Sequence, residues 1–154
     1  MTFRDIVDSV LGKALIAIMG IMVINVLWQV FTRFVMGTPS SFTDELSRYL
    51  MVWLGILGAA YVSGKNMHVA IDVLPQKFSE RTQKRLKLLV YILVISFAVA
   101  AMIVGGFRLV YITYVLEQHS PSLQIPLAFV YAVIPISGLL IVFYKVSDIL
   151  NTKL

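Results

Sequence analysis

Asp44 and Glu45 stand at the head of an apolar run, four and three residues before Arg48. On a helix that spacing brings acids and base onto neighbouring turns, so ion pairing at a helix mouth is the chemistry available to them. Asn25 and Gln29 are also four apart and share a face, where amides glue one membrane helix to another. His68 and Asp72 repeat the spacing in the central loop, ahead of Pro75, but two ligands are too few for a closed metal site, and no metal is expected.

The missing groups say as much. There is no cysteine, so disulfides, thiolate metal sites and thiol redox chemistry are excluded. The two histidines, His68 and His119, both fall in predicted loops, so nothing at membrane depth would hold a haem. Asp5, Asp8, Asp44, Glu45, Asp72, Glu80, Glu117 and Asp148 are all the carboxylates, and each falls in a flank or a loop. An ion-coupled exporter normally keeps an acid inside the membrane. No nucleophile–base pair lies within a predicted span, so an enzyme is not expected and no cofactor is implied for this chain.

The elements that carry these residues are apolar segments separated by basic loops. The chain has 154 residues, 59% hydrophobic and 14% charged. A soluble domain of this size cannot hide so much apolar surface, whereas lipid accepts it. Four spans are predicted, at about 14–32, 46–63, 88–111 and 126–145, in one domain covering 1–154. About 20 residues cross a 30 Å hydrocarbon layer. The first apolar run is longer than a signal peptide's and lacks a small-residue cleavage site, so it is read as retained.

Ahead of it, Phe3, Ile6, Val7, Val10 and Leu11 share one helical face, opposite Arg4, Asp5, Asp8 and Ser9, which predicts an amphipathic interfacial helix. Gly55, Gly58 and Ala59 form a small-residue strip in the second span, and Ala98, Ala101 and Gly105 another in the third. Pro135 should kink the fourth span or free a carbonyl.

Of the 13 Lys and Arg residues, ten fall on the side holding both termini and the 64–87 loop, three on the other. The excess places N and C termini in the cytoplasm. Lys77, Arg81, Lys84, Arg85 and Lys87 are assigned to phospholipid headgroups and topology. Basic residues confined to such loops do not make a nucleic-acid site.

The run FTDELSRYLMVWLGILGAAYVSGKNMHVAIDVL, residues 42–74, resembles the small membrane subunit of tripartite ATP-independent periplasmic (TRAP) transporters. Glu45, Leu46, Arg48, Trp53, Gly58, Ala59, Ala60, His68, Val69 and Asp72 carry the likeness. A second stretch, SPSLQIPLAFVYAVIPISG at 120–138, adds Pro121, Leu123, Pro126 and the Ile134–Pro135 pair.

The resemblance implies a complex in the bacterial inner membrane. A periplasmic binding protein delivers an organic acid to a large permease subunit, which carries the substrate and sodium sites. The small subunit is a scaffold. Sialic acid is the cargo this resemblance favours, with C4-dicarboxylates as the alternative. Asp44, Glu45, Arg48, Trp53, Gly55, Gly58, Ala59, His68 and Asp72 are the candidates for contact with partners. A self-sufficient transporter that dimerises is the competing reading.

Overall fold

The computed structural model describes residues 3–38, 40–65 and 80–151. His68, Asp72 and Lys77 lie outside the described residues. Helix α1 runs Phe3–Phe34 and α2 Ser41–Gly64. Helix α3, Glu80–Phe97, continues through a π-helix, Ala98–Gly105, into α4, Gly106–Val115. Two helices complete the chain, α5 at Leu127–Tyr131 and α6 at Val133–Asn151. Among the described residues four stretches are long and apolar enough to cross a membrane: Arg4–Phe34, Ser41–Gly64, Arg85–Val115 and Leu127–Leu150.

Where the sequence reading separates an interfacial helix from the first span, the structure joins them. Nothing between Val10 and Ala14 breaks a helix except Gly12, whose cost there is only about 1 kcal/mol relative to Ala. The resulting 32 residues extend for about 48 Å, well beyond a 30 Å hydrocarbon layer. The excess lies at the end that also holds Gly64 and the close of α6; this is the termini end. Residues 35–38 and 116–126 form the opposite, loop end.

α1 packs along α2, α2 along α6, and α6 along α3 and the π-helix. Leu11, Leu57, Val133 and Tyr144 make one buried cluster, and Ala60, Ala98 and Ile141 a second. The fourth span is the centre: 44% of its most apolar window is buried, against 11% for the first span and 6% for the third.

Close packing between the third and fourth spans depends on glycine. A Cβ on Gly106 would stand 2.9 Å from Pro135 Cδ, and one on Gly138 2.9 Å from Met102 Cβ. The third-span seam is therefore Ala98, Met102 and Gly106. Ala101 and Gly105, expected in it, are exposed instead. The π-helix explains the shift: its i→i+5 bonding widens the turn, so residues four apart stay on one face.

In the fourth span the helix breaks at Ala132, three residues ahead of Pro135. Proline has no N–H to return to the carbonyl four residues earlier, that of Tyr131.

Candidate functional site

At the loop end, Asp44 and Arg48 pair as the spacing predicts, Nη2 to Oδ2 at 3.1 Å, with both side chains largely exposed. Glu45 does not join them. Its carboxylate accepts from the Tyr49 hydroxyl at 2.7 Å and from the backbone N–H groups of Ser122 at 2.8 Å and Leu123 at 3.2 Å. One face of the first turn of α2 thus aims its acid at the 120–126 loop, while the next residue round the helix aims at solvent.

The loop is folded to receive it. Ser120 N–H donates to the Ile125 carbonyl and Leu127 N–H to that of Gln118, beside a bridge between His119 and Pro126. Gln124 takes a left-handed φ of 55° to close the turn. The two sequence stretches that carry the family likeness, 42–74 and 120–138, therefore meet through Glu45.

Trp53 makes a second link between them. Its indole N–H donates to the Val130 carbonyl at 3.1 Å, next to the break in the fourth span, so this partner candidate is engaged within the chain. Asn25 acts as the predicted glue, donating to the Thr43 carbonyl and Ser47 Oγ, each at 2.7 Å. Gln29 reaches Asp44 at 3.4 Å.

Gly55 and Ala59 face outward, and a Cβ on Gly55 or Gly58 would meet nothing within 4 Å. Among the described residues no helix uses that strip; α2 buries Leu57, Ala60, Ser63 and Gly64 instead. Arg85 and Lys87 are exposed at the start of the third span, and Arg81 and Lys84 belong to the same opening turns of α3.

The termini end holds residues that sequence reasoning left as topology charges. Arg4 pairs with Asp148 at 2.7 Å and also donates to the Gly64 carbonyl. Lys145, 1% exposed, donates to the Ser63 carbonyl at 2.9 Å and lies 3.5 Å from Asp148. The Tyr144 hydroxyl donates to Asp8 at 2.6 Å, and Lys65 pairs with the other Asp8 oxygen at 2.8 Å. Lys65 Nζ sits just past the membrane helix, and the hydrogen bond to Asp8 raises its pKa above the usual lysine value.

The physical logic is that of a helix end. The last carbonyls of α2 have no donors in their own helix and carry partial negative charge. Two cations from other helices, Arg4 and Lys145, supply both needs. Gly64 has to be glycine here, because a Cβ would lie 2.7 Å from the Tyr144 ring. The signal was present in the sequence as two helical pairs, Arg4 with Asp8 and Lys145 with Asp148, each at the edge of an apolar segment. Nothing in the sequence showed that they face each other. Among the described residues no three acids or histidines converge as a metal site would require.

A family model described as "Tripartite ATP-independent periplasmic transporters, DctQ component" matches residues 22–153. The chain belongs to that family. It is similar to a putative TRAP transporter small permease protein of Haemophilus influenzae, 27% identical over 95% of this chain and 89% of the relative. It is 25% identical to the sialic acid TRAP transporter small permease protein SiaQ of Vibrio cholerae, over 96% of this chain and 84% of that one. A third likeness is partial: 33% identity over 90 residues, 56% of this chain, to the sialic acid TRAP transporter permease protein SiaT of H. influenzae, of which 14% is covered. Together with four long apolar helices, membership makes this DctQ-family chain a multi-pass protein of the bacterial inner membrane and a transporter component, not an enzyme.

Proposed function

We propose that this chain is the small scaffold subunit of a sodium-coupled TRAP transporter, and that it binds and stabilises a large permease subunit in the same membrane. The cargo is an organic acid, N-acetylneuraminate in the first instance, delivered by a periplasmic binding protein. Sodium and substrate bind in the large subunit, and this chain needs no cofactor of its own. The termini end lies in the cytoplasm, where the basic residues from Lys77 to Lys87 meet phospholipid headgroups. The loop end, with Asp44 and Arg48 in solvent, faces the binding protein.

The observation that supports this most is the partial likeness to SiaT. A segment similar to this chain makes up 14% of a permease named for sialic acid. A short chain of that kind is expected to work beside a polypeptide that supplies the rest. The outer faces of the first and third spans agree, since most of their apolar surface is left exposed by the described residues. Ile24, Leu27, Trp28 and Phe31 line a shallow apolar groove of about 380 Å³ on α1.

Co-expression with a large TRAP permease, without crosslinker, tests the reading: a stoichiometric complex is expected. Proteoliposomes holding both subunits should take up N-acetylneuraminate with its binding protein and an inward sodium gradient, and lose uptake when this chain is omitted. Uptake by this chain alone would establish the self-sufficient transporter instead. Transport of a C4-dicarboxylate but not of N-acetylneuraminate would reassign the cargo and leave the subunit role intact.

A further inference from the structure

We propose that residues 3–12 form a hinged strap, which docks on the ends of α2 and α6 in the structure and swings onto the membrane surface when released. The inference is independent of the transported cargo. It rests on how the ions at the termini end are paired.

In the docked state Arg4 and Asp8 of the strap both reach across to other elements. Arg4 reaches Asp148 and the Gly64 carbonyl, and its guanidinium lies 5.6 Å from the centre of the Tyr144 ring. Asp8 holds Tyr144 and Lys65. The charges that pair across are also spaced to pair at home. Arg4 and Asp8 are four apart on the strap, and Lys145 and Asp148 three apart on α6, where they already lie 3.5 Å from each other.

Undocking therefore exchanges the cross-helix pairs of Arg4 and Asp148 for local ones, while Lys65, already 41% exposed, and the Tyr144 hydroxyl pass from Asp8 to the water that replaces the strap. The carbonyl left without its cation, that of Gly64, is the last in α2 and is buried beneath the docked strap, so water takes the place of Arg4 there once the strap leaves. Two arrangements that each satisfy the charges are what a bistable element requires.

The apolar side of the strap has two hosts as well. Docked, Leu11 is buried and Val7 packs against the same cluster. Released, Ile6, Val7, Val10 and Leu11 form the single face that an interfacial helix sinks into lipid. Gly12 marks the hinge: it is the weakest helix former between strap and span, and a Cβ there would find the Tyr61 ring at an ordinary 3.7 Å, with no tight packing to lock the position. Arg4 and Asp8 thus grip the last residue of α2, Gly64, and its C-cap, Lys65.

The chain has no cysteine, so spin labels can be placed in pairs without background. Ser9 and Leu150 are both exposed and lie on opposite sides of the docking contact; Ile16 and Leu150 span the same gap from beyond the hinge. Labels at Ser9→Cys and Leu150→Cys, in the full chain in lipid nanodiscs, should give a short docked distance and a longer one. Adding Arg4→Ala, which removes three docked contacts and one local pair, should raise the long-to-short ratio about tenfold. Labels at Ile16→Cys and Leu150→Cys should keep one distance throughout. A single unchanged distance for the Ser9 pair in both backgrounds overturns the strap. So does equal broadening of the Ile16 pair, because α1 would then move as a whole or the bundle would have come apart.

Discussion

The two ends of the bundle are fastened by different chemistry. At the termini end, ionised side chains from α1 and α6, joined by Lys65 at the exit of α2, bind those elements to one another. Two of the charges, Lys145 and Asp148, are all but removed from solvent. At the loop end the helices are joined by a neutral amide and an indole, Asn25 and Trp53, while the acid Glu45 is spent on loop backbone. The salt bridge of that end, Asp44–Arg48, stays in the open within one helix. Charge fixes helix to helix only where several unsatisfied groups, including the carbonyl end of α2, come together with little water. Where water reaches the pair, the same chemistry contributes little.

The sharpest way to break this contrast is Asp148→Ala. It leaves Arg4 and Lys145 without their shared carboxylate and should lower stability by about 3–5 kcal/mol, read as a large drop in the thermal or SDS unfolding midpoint. A loss near zero would mean that water already screens the cluster. Next in size is Gly64→Ala, which sets a Cβ 2.7 Å from the Tyr144 ring and should cost about 1–3 kcal/mol. Gly55→Ala, on the open strip of the same helix, should stay within about 0.5 kcal/mol in the isolated chain. If Gly55→Ala weakens co-purification with a large permease while leaving the chain's own stability alone, the strip is a partner surface.

The smallest effects are expected at the loop end. Arg48→Ala should change stability by less than about 1 kcal/mol. Glu45→Gln should quicken hydrogen exchange at the Ser122 and Leu123 amides while leaving exchange at the end of α2 untouched. Exchange that quickens at both ends would erase the distinction between them.

Much of this was legible in the residues. Lipid as the solvent follows from 59% apolar content in so short a chain, and Asn25 was readable as glue because an amide in hydrocarbon must find a partner. The pairing of Asp44 with Arg48 followed from spacing alone. Glu45 was not legible in the same way. Its spacing from Arg48 is nearly as good, but the loop that claims it lies 77 residues away. The third-span seam was misplaced because a 3.6-residue period does not announce an eight-residue π-helix.

Sequence by itself determined the number of spans, their solvent and the family, since each rests on local composition or on motifs read in order. Only the tertiary structure decided which charges meet. Arg4 and Asp148 are 144 positions apart, and no periodicity reports a contact that exists only when the two ends of the chain are folded side by side. Local spacing constrains a residue to its own helix face. What that face touches is set by how the helices pack, and by a glycine at position 64 that leaves room for the Tyr144 ring.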